Sequence, residues 1–180
     1  MPGVNRAQLV LARFDDAEYR LCRGLNRASA RPWLRATLRI ASRLGDGVLW
    51  YALLATLPLL YGAAALRPAL IMVATGLAGL LIYRRLKSLL VRERPFLRHP
   101  GISLEMAPLD RYSFPSGHTL HAVCFTGQAV AHFPALGWVL VPAATLIALS
   151  RVVLGLHYPT DVLAGAAIGA ALAACGLALA

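Results

Sequence analysis

The sequence predicts an all-α fold: an integral membrane helical bundle of five to six transmembrane helices with an N-terminal amphipathic interfacial segment. Three observations predict it. Of the 180 residues, 58% are hydrophobic and 14% charged, whereas a soluble domain carries about 25% charged residues. Mean hydropathy is +0.62, far above what an intrinsically disordered segment shows. The charged residues also lie between long uncharged runs, which must face lipid or one another. That placement weighs against nucleic acid as a partner. A net charge of +10 would suggest it on a solvated basic face, but here lipid headgroups and phosphorylated substrates are the expected anions.

Residues 1–45 form the expected interfacial segment. Phe14, Ala17, Leu21 and Leu25 recur at helical spacing, while Arg6, Arg13, Arg20 and Arg27 fall seven apart and Arg31, Arg35, Arg39 and Arg43 four apart. Arginine stripes beside an apolar stripe suit a helix lying among headgroups; a helix packed on a partner protein is the alternative. Residues 46–180 hold the spans. The first, 48–66, is nineteen residues without a charge, covering most of a hydrocarbon layer about 30 Å thick.

Arg67-Pro68 reads as a break, and 69–83 as a second span completed by snorkelling of Arg84, Arg85 and Lys87. Pro100, Gly101, Pro108 and Asp110 make 97–114 an ordered surface loop. The third span, 119–133, contains Thr119, His121, Thr126, Gln128 and His132, a polarity that belongs in a bundle interior. The fourth, 135–150, follows Pro134. The fifth, 162–180, carries Gly165, Gly169 and Gly176, residues that let membrane helices approach closely.

Cys22, Cys124 and Cys175 show no Cys-x-x-Cys spacing, so they read as small hydrophobes rather than a disulfide or zinc framework. The first apolar run starts too late for a cleavable signal peptide, and insertion is expected through uncleaved spans.

Chemistry collects at span ends. Threading five spans antiparallel brings the end of the second, the start of the third, the end of the fourth and the start of the fifth to one membrane face. Lys87 and Arg94, seven apart, would project from one side of a helix ending at Pro95. In Pro115-Ser116-Gly117-His118, Ser116 can cap the next helix, Gly117 lets a ligand approach the backbone, and free amides can hold an oxyanion. In His157-Tyr158-Pro159-Thr160-Asp161, Asp161 can orient one imidazole nitrogen while the other attacks. Arg151 adds a planar fork for a phosphate-like group. Taken singly, these also read as snorkelling anchors, a plain capped helix and a core His–Asp pair, the first and last of which are the commoner cases for such residues standing alone. Taken together they suit phosphoryl transfer through a phosphohistidine: cations neutralise the equatorial oxygens, one histidine attacks, the other protonates the leaving alkoxide. Three cationic side chains would stand in for a metal, and no cofactor is expected.

The three motifs Lys87-x6-Arg94-Pro95, Pro115-Ser116-Gly117-His118 and Ser150-Arg151-x5-His157-x3-Asp161 resemble, in order, the signatures of the type 2 phosphatidic acid phosphatase (PAP2) family, lipid phosphatases related to vanadate-dependent haloperoxidases. The resemblance implies that His157 is the nucleophile, Asp161 its orienting partner and His118 the general acid. It also implies that Lys87, Arg94, Ser116, Gly117 and Arg151 bind the phosphate, and that 46–180 is a PAP2-like catalytic domain. The family is helical, its phosphatases use no metal, and its substrates include polyprenyl diphosphates, phosphatidylglycerophosphate and phosphatidate. Many members have six spans, against five read here.

A lipid phosphotransferase using the same phosphohistidine is an alternative the residues leave open, and a membrane carrier lined by His121, Gln128 and His132 is another. The sequence is silent on oligomeric state. Sidedness divides two arguments. The Arg-rich N-terminus favours a cytoplasmic catalytic face, whereas the resemblance implies the outer face of a bacterial inner membrane.

Overall fold

The computed structural model describes residues 6–180, with side chains described from Asp15 onward. The side chains of Arg6, Arg13 and Phe14, part of the expected stripes, lie outside the described residues. Every regular element among the described residues is helical: α1 (Arg6–Asn26), α2 (Pro32–Arg43), α3 (Leu49–Tyr61), α4 (Leu66–Leu90), α5 (Pro95–Arg98), α6 (Gly117–His132), α7 (Gly137–Val153) and α8 (Pro159–Ala178). Three helical stretches, Pro32–Arg98, Pro134–Val153 and Pro159–Ala178, are long and apolar enough to cross a membrane.

Local chemistry sets most boundaries. Pro32, Pro95 and Pro159 occupy first turns, where a missing N–H costs nothing. Arg67-Pro68 does not break a helix as expected; Pro68 sits in the first turn of α4, a position that tolerates proline. The break lies earlier, at Gly62, whose φ of 66° turns the chain out of α3. At the other end, α4 stops at Leu90 because Val91 adopts a left-handed conformation, φ 41°. Arg94 therefore lies beyond the helix of Lys87 rather than two turns along it.

The 16-residue α6 is the centre of the bundle, packing against α4, α7 and most extensively α8. Trp50, Leu57, Met72, Phe125 and Ile147 fill the core among α3, α4, α6 and α7. Trp50 is buried and stacks on Phe125, with ring centroids 5.4 Å apart; Tyr158 is buried too. Neither takes the interface-anchor position that such rings commonly occupy in membrane proteins. The exterior is apolar instead, with Leu59, Leu70, Trp138 and Leu163 all more than half exposed, as expected where the solvent is acyl chains.

The N-terminal helices are fastened to this bundle. Leu38 of α2 packs with Val153, Leu154 and Leu156, and Cys22 of α1 with Ile102 and Val152. The buried Asn26 amide donates to the carbonyls of Val153 at 2.9 Å and Ser103 at 3.0 Å, and accepts from the Ser103 amide at 2.9 Å. Arg35 and Arg39 both reach Glu105 at 3.4 Å. An arginine stripe expected among headgroups is thus partly spent on a loop carboxylate.

α8 approaches α6 backbone to backbone. A Cβ at Gly165 would collide with the Ser116 carbonyl, and one at Gly169 with the Leu120 carbonyl, so neither glycine has room for a methyl group. Gly24 in α1 faces open space. Gly169→Ala is expected to destabilise the protein by about 1–3 kcal/mol, lowering Tm in detergent, while Gly24→Ala should stabilise it by about 0.5–1 kcal/mol. Equal Tm changes for the two would contradict this packing.

Candidate active site

The C-terminal ends of α4 and α7 and the N-terminal ends of α6 and α8 meet around one cavity of about 740 Å³. Its polar wall includes Lys87, Arg94, Gly117, His118, Arg151 and His157. Ser116 and Asp161, both fully buried, stand behind that wall. An apolar arm runs between α3 and α4, past Trp50, Leu54, Val73, Leu77 and Leu80.

His157 sits in the turn between α7 and α8, its amide donating to the Arg151 carbonyl at 2.9 Å. Its Nε2 lies 3.3 Å from Arg94 Nη1. Its Nδ1 faces Asp161 Oδ2 at 3.5 Å, longer than an ordinary hydrogen bond, and has no hydrogen-bond partner. Asp161 is instead held by other donors: the Tyr158 amide at 2.8 Å and Arg92 Nη1 at 2.6 Å. Burial, followed by the charges of Arg151, Arg94 and Lys87 and by His118, pushes the His157 imidazole well below its ordinary value of 6.5. It stands neutral with a lone pair available.

The cations are partnered in different ways. Arg94 donates through Nη1 to the Leu156 carbonyl at 2.7 Å and through Nη2 to Asp110 Oδ1 at 2.7 Å. Lys87 Nζ meets both Asp110 oxygens, at 2.7 and 2.8 Å, and the Tyr112 carbonyl at 2.9 Å. One loop carboxylate therefore occupies two cations. Burial works against ionisation of Asp110, yet Lys87 and Arg94 outweigh it and hold the carboxyl below its ordinary 3.8. The sequence places Asp110 on a surface loop, where either a surface salt bridge or a part in admitting the headgroup is open to it, because nothing local shows where a loop residue will dock. Arg151 is 2% exposed; its Nη1 donates to Ser42 Oγ, and its Nε has no partner.

Ser116 caps α6, its hydroxyl accepting from the Thr119 amide at 3.4 Å, and its own amide donates to the Asp161 carbonyl at 3.0 Å. The Cβ clash at Gly165 with the Ser116 carbonyl shows how closely α8 holds this motif. His118 is buried rather than solvated, and its Nε2 pairs with Asp46 Oδ1. Asp46 does not pair with Arg43 as its proximity in sequence suggests. The Leu44–Val48 turn, where Gly47 takes φ 127°, carries Asp46 across to α6. Its signal in the sequence was faint: it is the sole acidic residue between Glu18 and Glu93, set between two glycines beside an apolar run.

His121 and Gln128 are internal struts. His121 bridges the carbonyls of Gly117 at 2.9 Å and Gly76 at 3.1 Å, and Gln128 donates to Thr75 Oγ1 at 2.9 Å. Gln128 is buried among these partners, and His121 also lines the cavity beside Phe125.

Comparison with known proteins gives this constellation a family. The PAP2 superfamily model matches residues 64–179. Decaprenylphosphoryl-5-phosphoribose phosphatase of Mycobacterium tuberculosis is 38% identical over 151 residues, covering 80% of this chain and 79% of the relative. The LpxE crystal structure from Aquifex aeolicus superposes with a TM-score of 0.76 at 26% identity, covering 88% of this chain and 93% of the other. A transmembrane PAP2 type phosphatidylglycerolphosphate phosphatase from Bacillus subtilis superposes with a TM-score of 0.67 at 26% identity, covering 95% and 90%. With membrane-length apolar helices, a family model spanning all three motifs and phosphatases for relatives, this integral membrane protein belongs to the PAP2 superfamily and is a PAP2-type phosphatase.

Proposed function

We propose that the protein hydrolyses a phosphate ester or diphosphate on a membrane lipid through a phosphohistidine at His157. The observation that carries this reading is a buried neutral imidazole, His157, whose Nε2 faces a cavity walled by Lys87, Arg94, Arg151 and His118. Nε2 attacks phosphorus in line, the bond from phosphorus to the lipid oxygen breaks, and His118 gives that oxygen its proton. Asp46 supplies the charge partner for a protonated His118. Water, deprotonated by His118, then attacks the phosphohistidine, the N–P bond breaks, and inorganic phosphate leaves. Lys87, Arg94 and Arg151 neutralise the equatorial oxygens with the Gly117 amide, Ser116 holds the α6 terminus in place, and Asp161 orients His157. Three fixed cations supply the electrostatic stabilisation for which other phosphatases recruit a metal.

The apolar arm between α3 and α4 suits the first segment of an acyl or isoprenoid chain reaching the site from the bilayer. A polyprenyl substrate is favoured by the likeness to a decaprenylphosphoryl-5-phosphoribose phosphatase; phosphatidylglycerophosphate and phosphatidate are the second choices. In this reading α3, α4, α6, α7 and α8 span the membrane, and 46–180 is the catalytic domain. The described part of the 1–45 segment, from Arg6, lies at the headgroup level, with Trp33 and Ile40 exposed. The mouth opens on the outer face of a bacterial inner membrane. A phosphotransferase would differ only in the second acceptor.

Purified protein should release inorganic phosphate from a polyprenyl diphosphate with EDTA present, and His157→Ala should lower kcat at least 1,000-fold, with His118→Ala losing about 100-fold. Full activity in His157→Ala would overturn the assignment, and phosphorylated lipid acceptor in place of inorganic phosphate would favour the transferase. The depressed His157 value also sets a sign. The unfolded chain binds this proton more readily than the folded one, so stability is complete above about pH 6.5 and declines as pH falls below it. Tm measured from about pH 7.5 to 5.5 should fall more steeply for wild type than for His157→Gln. Because substrate phosphate must displace Asp110 from Lys87 and Arg94, Asp110→Asn should tighten inhibition by inorganic phosphate about tenfold; unchanged inhibition would show that the carboxylate does not compete.

A further inference from the structure

The buried carboxylate Glu18, on α1 and 6% exposed, is far from every motif in sequence, yet it reaches the His157 side of the site. Arg92 joins them. Its Nη2 donates to Glu18 Oε2 at 2.6 Å, while Nη1 donates to Asp161 Oδ1 at 2.6 Å and to Thr160 Oγ1 at 2.8 Å. Glu18 Oε1 also accepts from the Thr160 amide at 3.0 Å and from the Thr160 hydroxyl. The guanidinium lies over the Tyr158 ring at 4.1 Å, which leaves it little freedom to rotate.

Charge makes this arrangement more than a brace. Alone, Arg92 would neutralise Asp161 and leave His157 facing Lys87, Arg94 and Arg151 with no net negative partner. With Glu18 on the other side of the guanidinium, the Glu18–Arg92–Asp161 chain carries one net negative charge beside the imidazole. We propose that Glu18 and Arg92 are positioning residues for catalysis: they fix Asp161 and preserve its charge, so that the positive charge His157 gains on attacking phosphorus is compensated. This rests on the reading of His157 as nucleophile. It assigns to α1 a part in the chemistry that none of the three motifs contains.

The test compares Glu18→Gln and Glu18→Asp in the full chain, with farnesyl diphosphate in detergent as the probe and His157→Ala as the reference. Gln keeps the shape and the acceptor toward Thr160 but removes the charge; Asp keeps the charge and shortens the reach. Glu18→Gln should lower kcat about tenfold with KM within about twofold of wild type, and Glu18→Asp should retain more activity than Gln. A purely structural role predicts the reverse order, because Gln is the better steric match, and that order overturns the proposal. An inactive His157→Ala beside a fully active Glu18→Gln refutes this inference alone, whereas an active His157→Ala refutes the reading of the site beneath it. If neither Glu18 variant accumulates, Arg92→Lys, which keeps the charge but cannot fork between two carboxylates, should show the same fall in kcat at unchanged KM; wild-type kcat there also overturns the proposal.

Discussion

Everything at this site depends on keeping Lys87, Arg94 and Arg151 close together and almost fully out of water. Taking each such ion out of water costs several kcal/mol, and like charges at short range add to that. The fold meets the cost with carboxylates that come from distant stretches of chain. Asp110 arrives on the loop before α6 and bridges Lys87 and Arg94. Asp46 lines the same cavity from the kink between α2 and α3. Asp161, with Glu18 and Arg92, brings net negative charge up to His157. Four of the eight acidic residues are thus committed to this one cluster of cations and imidazoles. The pocket is preorganised, because its dipoles and charges are fixed before a phosphate arrives, and such fixed charge is where most electrostatic catalysis originates.

The scaffold that holds this charge is tight around the polar wall of the cavity and looser along its apolar arm. Gly165 and Gly169 let α8 lie against the backbone of α6, locking Ser116, the Gly117 terminus and Asp161 into one unit. Between α3 and α4 the packing gives way to the apolar arm of the cavity. Gly76, whose Cβ would meet Phe125 at 2.6 Å, brings α4 close to α6 beside that arm. Small-residue packing thus holds both α8 and α4 against α6, and the apolar arm opens where α3 and α4 face each other.

The amount legible in the sequence tracks how local each signal was. Uncharged runs and their flanking arginines marked the helices, and the spacing within each motif marked the residues now found along one cavity: Lys87, Arg94, Gly117, His118, Arg151 and His157. Boundaries were less legible. Arg67-Pro68 looked like a break, but a proline in a first turn disrupts nothing, and the reversal at Val91 has no glycine to announce it. The burial of Trp50 and Tyr158 was not legible either, because aromatic composition alone does not distinguish a ring facing headgroups from one stacked in the core.

Composition and motif order by themselves determined that the chain is helical, that its solvent is largely lipid, and which short motifs hold the residues that line the cavity, since these follow from residue type and short-range spacing. Only the tertiary structure decided which carboxylate serves which cation. Asp46 belongs to His118, Asp110 to Lys87 and Arg94, and Glu18 to Arg92 across 74 residues. Pairing in three dimensions depends on where loops and helix ends dock, and long-range docking leaves no periodicity for a sequence to display.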